Sequence, residues 1–363
     1  MLWEFRPCDE AAAERLAAGA AVSPLVARLL WTRGISSVEA AARFLTPSID
    51  QLHSPYLMAG MSLAVERITA AIARQEKILL YGDYDVDGTT AIVVLKTAIE
   101  LCGGAGLVEF HVPHRIREGY DLRADVLERA AAGGVRLVIS VDSGIRAFRA
   151  ADAARQAGLD LIITDHHLPE DTGEGTPQVP QAFVVLNPNQ GGCSYPCKGL
   201  CGAGVAFKVA QALLEKAGLQ RMLPSFLKVI AIATIADSVP LIGENRAIAA
   251  LGLAGLRDPR NLGLRELIHS AGLPPGRPLR TGDIAFRIAP RLNAAGRMDI
   301  ARDVVELFEA RDAARARELA ARLSQLNVER QGEEQRVLES VKEHIARATD
   351  AERPPCIVVT GDG

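Results

Sequence analysis

The chain has 363 residues, of which 48% are hydrophobic and 23% charged, with a formal net charge of -3. That is enough for a large buried core and for two domains or one large domain with an appendage. The composition excludes a disordered or fibrous chain, and the slightly acidic balance excludes a broad basic face for nucleic acid, leaving room only for a local one.

No uninterrupted apolar run approaches the roughly 20 residues of a membrane-spanning helix. The opening M-L-W-E-F-R-P lacks the basic-then-apolar order of a signal peptide. A cytoplasmic protein with no membrane association is expected. Six cysteines are too few for a disulfide scaffold. Cys193, Cys197 and Cys201 are spaced C-x-x-x-C-x-x-x-C without a fourth ligand, so buried thiols are expected rather than zinc.

From Met1 to about residue 60 the Ala-rich, Pro-punctuated pattern predicts a helical cap. Met61, Val65, Ile68 and Ile72 then share one helical face and lead into an apolar strand at Ile78 to Tyr81. This strand delivers Asp83, Asp85 and Asp87 to a tight turn expected at Gly88, with a helix from about Thr90 to Leu101. Strands at Val108 to Val112, Leu137 to Val141, Leu161 to Thr164 and Phe183 to Leu186 alternate with helices at about 124–132 and 147–157. Alternation of this kind predicts an α/β fold, a parallel sheet flanked by helices.

The second half reads as helical, with segments at Val205 to Ala217, Leu223 to Ala236, Arg246 to Leu256 and Leu262 to Ala271. A long, charge-dense helix spans about 313–348, of the kind that bridges two bodies. The apolar run from Cys356 reads as the first strand of another domain. The expected division is a cap at 1–60, a catalytic domain at 61–310, a connecting helix at 311–348 and the start of a further domain at 349–363.

Three predicted strands end in polar clusters: Asp83, Asp85 and Asp87; Asp142, Ser143 and Gly144; and Thr164, Asp165, His166 and His167. In parallel α/β sheets the carboxyl ends of strands share one rim, so these groups converge. Carboxylates so close repel one another unless a cation sits among them. The spacing D-x-D-x-D-G also occurs in the EF-hand loop, but that loop needs a Glu where Val94 stands, and a helix rather than a strand before it. Mixed carboxylate and imidazole donors suit Mn²⁺, Mg²⁺ or Fe²⁺ better than a thiolate-type zinc site, and their number exceeds the needs of one ion, which points to a two-metal hydrolase of phosphate esters. Asp142 read alone is a helix cap, and Asp165 read alone an acceptor for a backbone amide. His53, His111, His114, His269 and His344 have no such company and are read as structural.

In this order D-Y-D-V-D-G, V-D-S-G and T-D-H-H resemble the DHH phosphoesterase superfamily. The chain from about Arg33 onward resembles more closely the RecJ family of single-strand-specific 5′ to 3′ exonucleases. That likeness rests on G-D-Y-D-V-D-G-T-T (82–90), P-H-R-I-R-E-G-Y (113–120), L-C-G-A-G-V-A-F-K (200–208), I-A-D-S-V-P-L (235–241) and R-L-N-A-A-G-R-M (291–298). The resemblance implies that Asp83, Asp85, Asp87, Asp142, His166 and Asp237 hold two Mn²⁺ or Mg²⁺ ions, with Asp142 bridging. It places His167 beside the scissile phosphate, to orient it or to protonate the leaving oxygen.

The same resemblance implies that Arg115, Arg291, Asn293 and Arg297 face single-stranded DNA, in a monomer working in repair and recombination alongside a helicase or single-strand-binding protein. It also implies that residues 349–363 open a second, DHHA1-type domain that this chain leaves incomplete. Two other readings stand beside it: a DHH phosphodiesterase acting on short oligonucleotides or cyclic dinucleotides, or else a pyrophosphatase, and a nucleic-acid-binding scaffold without turnover. Relatives of the former type begin their first motif with His and P-D-x-D, whereas Tyr81 and D-Y-D stand here.

Overall fold

The computed structural model describes residues 6–115, 117–119, 121–170, 177–297 and 301–347. The strand expected after Cys356 lies outside them. Three short helices come first: α1 (Glu10–Ala20), α2 (Pro24–Trp31) and α3 (Val38–Leu45). Each starts on a side chain that accepts a backbone N–H of the first turn, namely Asp9, Ser23 and Ser37. Leu16, Ala27, Leu30 and Ala41 give them a small core of their own.

After α4 (Met61–Ala73) the described residues form five strands, β1 (Lys77–Gly82), β2 (Val108–His111), β3 (Val135–Val141), β4 (Asp160–Thr164) and β5 (Val184–Leu186). All pair in parallel, in the order β2-β1-β3-β4-β5. The order reverses between β1 and β3, and a crevice opens where such a reversal meets the carboxyl ends of the strands.

Alternate side chains feed two cores, as a pleated strand requires. Ile78, Leu80, Leu137, Ile139 and Ile162 face the larger core, while Leu79, Tyr81, Val138, Leu161 and Ile163 face the smaller one. Helices α6 (Ala124–Ala132) and α7 (Phe148–Gln156) cover the smaller side. The larger side is covered by α5 (Val86–Ile99), α8 (Gly202–Lys216) and α9 (Leu223–Ala236). Helix α5 is buried on nearly every face, which explains its unbroken apolar run I-V-V-L.

Beyond these lie α10 (Gly243–Gly255), α11 (Leu262–Ser270), the short α12 (Thr281–Asp283), α13 (Ala289–Arg297), α14 (Arg302–Glu309) and α15 (Ala313–Arg347). A π turn at Ile284–Ile288 joins α12 to α13. Helices α12 to α14 carry no expectation from the sequence; Pro275 and Pro278 before α12 and Pro290 within α13 interrupt the helical period of the first two. Among the described residues no single helix is long and apolar enough to cross a membrane.

A polar knot centres on the fully buried pair Lys208 and Glu244. Lys208 of α8 donates to the His53 carbonyl at 2.6 Å, to Gln211 Oε1, and to Glu244 Oε1 at 2.8 Å. The other Glu244 oxygen accepts from the Tyr195 hydroxyl at 2.5 Å, and the His53 N–H also reaches Glu244 at 3.1 Å. Every charge is thus paired and hydrogen-bonded, the condition for tolerating ions in a core. The knot ties α8 and α10 to the segment before α4. Lys208→Met leaves Glu244 charged and half-satisfied, and is expected to cost about 3 kcal/mol or more by urea denaturation.

Candidate metal centre

The carboxyl end of β1 runs straight into a helix. The sequence pattern predicts a turn at Gly88, but α5 already begins at Val86, because Asp85 caps it by accepting the Gly88 N–H at 2.9 Å. Asp87 therefore sits in the first helical turn. Gly88 is required by close approach instead: a Cβ there would lie 2.5 Å from the Asp83 backbone nitrogen and oxygen. Asp83 folds back to accept the Tyr84 N–H at 2.7 Å. Asp87 accepts the N–H groups of Gly202 at 2.5 Å and Ala203 at 2.8 Å, so the N-terminus of α8 holds this carboxylate where partial positive charge gathers.

Asp142 follows β3 with φ 60°, a left-handed conformation unusual for a residue with a side chain. It is buried, and among the described residues its Oδ1 has no hydrogen-bond partner. His166 Nε2 comes within 3.2 Å of that oxygen without the alignment of a hydrogen bond. Helix α8 starts directly against Asp142; a Cβ on Gly202 would fall 2.4 Å from Oδ1.

The turn after β4 is held by Asp165. This buried carboxylate accepts the backbone N–H of Ile145 at 2.9 Å, of His166 at 2.7 Å and of His167 at 3.1 Å, and bonds His167 Nδ1 at 2.7 Å. The side chains of Asn187 and Asn189 brace the same turn through the carbonyls of His167 and His166. Asp165 is thereby an orienting acceptor, with its oxygens already engaged.

Asp237 caps the C-terminus of α9 rather than a strand, and the strand-end pattern has no means of finding it. Its Oδ2 lies 3.9 Å from His166 Nδ1, and His166 Nε2 lies 3.8 Å from Asp87. Donor atoms of Asp83, Asp85 and Asp142, of Asp87, His166 and Asp237, and of Asp142, His166 and His167 form three overlapping groups, each within 4.8 Å. Six carboxylate and imidazole side chains expected from the sequence and its resemblance thus meet on one rim, with His167 beside them.

The four expected substrate residues are placed differently from one another. The Arg115 guanidinium lies 5.4 Å from the centroid of the Tyr84 ring, next to the acidic turn. Arg297 is exposed on the last turn of α13. Arg291 donates to Ser324 at 3.1 Å, to the Arg287 carbonyl and to the Ser270 carbonyl at 3.5 Å, which commits it to α11 and α15. Asn293 Oδ1 accepts the Val86 N–H at 2.9 Å, inside the acidic turn itself. Cys193 and Cys201 are buried and Cys197 half-buried, all as thiols.

Crowding sets the protonation of the cluster. Burial, followed by the charge of Asp85, pushes Asp83 up to about 7, and burial with the charges of Asp87 and Asp85 does the same for Asp237. Burial and four neighbouring aspartates hold Asp142 far above the usual carboxylate range. Burial lowers His166, while the hydrogen bond to Asp165 raises His167. Burial opposes ionisation of Asp165, yet its bonds to His167 outweigh burial and bring it below the ordinary value. An orphaned buried oxygen amid mutually raised carboxylates favours a bound cation, and hard oxygen and imidazole donors fit Mn²⁺ or Mg²⁺.

Residues 77–234 match the DHH family, N-terminal domain, the class that this sheet and its rim define. The single-stranded-DNA-specific exonuclease RecJ of Bacillus subtilis is 42% identical over 332 residues, covering 91% of this chain and 40% of that protein. Among solved structures, exonuclease RecJ bound to manganese matches with TM-score 0.71 at 31% identity, covering 81% of this chain and 71% of that one. RecJ from Thermus thermophilus in complex with Mn²⁺ matches with TM-score 0.77 at 29% identity, covering 93% of this chain and 46% of that one. The chain belongs to the RecJ family. It spans about half the length of the curated relatives it matches.

Asp83 and Asp237 carry folded values near 7 against an ordinary 3.8, so the folded state binds more protons than the unfolded chain between those limits. Stability without a divalent ion is accordingly full below the lower limit and lost as pH rises through the upper one. In EDTA the melting temperature is expected to fall from pH 5 to pH 8, and Mn²⁺ is expected to remove most of that fall. Calorimetry across the pH series checks both.

Proposed function

We propose that this chain carries the catalytic centre of a metal-dependent 5′ to 3′ exonuclease that hydrolyses single-stranded DNA to 5′ mononucleotides. The observation that carries the reading is the buried Asp142 Oδ1, without a hydrogen bond among the described residues, grouped with Asp83 and Asp85 on one side and with His166 on the other, while His166 is also grouped with Asp87 and Asp237. These six side chains would hold two divalent ions. Bound there, Mn²⁺ or Mg²⁺ supplies neutralising charge and a water of lowered pKa, which suits in-line attack on phosphorus.

The protein's own groups account for the rest. Asp165 is ionised and can only accept, so His167 Nδ1 must carry the hydrogen between them. That bond fixes the ring and favours its protonated form, and the ring is half-exposed on the rim. His167 is thereby prepared to orient the scissile phosphate and to give a proton to the leaving oxygen. Arg115, stacked beside the acidic turn, and the exposed Arg297 suit contacts with the phosphates of the strand.

The names that the relatives carry favour single-stranded DNA over cyclic dinucleotides. The same reading makes the protein a cytoplasmic monomer of repair and recombination, supplied with single strands by a helicase or a single-strand-binding protein. With a helicase added to separate the strands, the chain is expected to release mononucleotides from a duplex that it leaves intact when alone.

With 5′-labelled single strands, Mn²⁺-dependent release of mononucleotides is expected. Turnover of a cyclic dinucleotide alone would overturn the reading. Asp142→Ala is expected to lower the rate by about a thousandfold or more, since several kcal/mol of charge stabilisation depend on that position.

A further inference from the structure

The acidic turn is finished by a residue more than 200 positions away. Helix α5 begins at Val86, and the first N–H groups of a helix have no partner within it. Asp85 takes the N–H of Gly88. The Val86 N–H, lying between Asp85 and Asp87 in the chain, is taken by Asn293 Oδ1 at 2.9 Å, across a separation of 207 residues.

The rest of α13 is built for this approach. A Cβ on Gly296 would fall 2.2 Å from the Tyr84 carbonyl oxygen, so only glycine lets the helix lie against the backbone between Asp83 and Asp85. Arg291, on the same helix, grips the carbonyls of Arg287 and Ser270 and the hydroxyl of Ser324, locking α13 to α11 and α15. Leu292, Ala294 and Ala295 between these points are buried.

We infer that Asn293 is a positioning residue for the metal centre: it caps the helix that presents Asp85 and Asp87, and sets their separation from Asp83, rather than gripping the nucleic acid. Arg291 is the anchor that keeps it in place. This rests on the metal-dependent reading above. Outer hydrogen bonds of this kind typically govern metal affinity by about 10- to 100-fold.

The test is Mn²⁺ binding to the whole chain by titration calorimetry in the absence of DNA, beside the binding of a labelled single strand in Ca²⁺. Wild type that fails to bind Mn²⁺ would remove the metal reading itself. Given binding by wild type, Asn293→Ala is expected to weaken Mn²⁺ binding roughly 10-fold or more, with strand affinity nearly unchanged and the lost turnover recovered at high Mn²⁺. Asn293→Asp keeps the acceptor oxygen and is expected to retain most of the Mn²⁺ affinity. It also serves where the alanine variant folds poorly.

Val86→Pro provides the reciprocal change. Proline is accepted at the first position of a helix and lacks only the N–H. Asp85 before it is extended, at φ -86° and ψ -175°, which a residue preceding proline requires. The effects of Val86→Pro and Asn293→Ala on Mn²⁺ affinity are expected to be far from additive. Unchanged Mn²⁺ affinity in Asn293→Ala, with or without weaker strand binding, overturns the inference, as does additivity of the two changes.

Discussion

The constraint on which this structure depends is the burial of several carboxylates on one rim of a sheet. Left alone they repel, and burial penalises each further. The protein offsets part of this by aiming dipoles and amides at individual oxygens: the start of α8 at Asp87, the Gly88 amide at Asp85, and the Tyr84 amide at Asp83. What remains uncompensated is concentrated at Asp142, whose Oδ1 has no hydrogen bond. The demand for a cation is therefore built into the fold.

Much of the surrounding architecture follows from the need to bring backbone close to this cluster. Gly88, Gly202 and Gly296 stand where α5, α8 and α13 meet the acidic residues, and at each a Cβ would collide with backbone or carboxylate. Asp165 works in the opposite sense. It is buried with its charge satisfied by three amides and one imidazole, and so fixes both histidines without needing a cation. Two aspartates at neighbouring strand ends thus have different tasks because their hydrogen bonds differ.

The sheet was legible in the sequence because its strands are short apolar runs between helical periods, and each of the five lies within two residues of its expected span. Three polar strand ends were legible for the same reason, as was their convergence. Less legible was the start of α5: the glycine in D-Y-D-V-D-G reads as a turn, whereas the Asp85 cap starts the helix ahead of it. Helices α12 and α13 were hidden by prolines that the π turn and short helices accommodate.

The sequence by itself determined the parallel α/β order, the three acidic and imidazole strand ends and, through its resemblance, the family; Asp237 is an expectation from that resemblance alone. These depend on local period and on motifs that survive as short strings. Only the tertiary structure decided that Asp165 orients rather than remains a spare donor, that Arg291 is committed to α11 and α15, and that Asn293 caps the acidic turn. Those roles turn on which hydrogen-bond partner a side chain meets from elsewhere in the chain. For Asn293 that partner lies 207 residues away, and no local pattern records it.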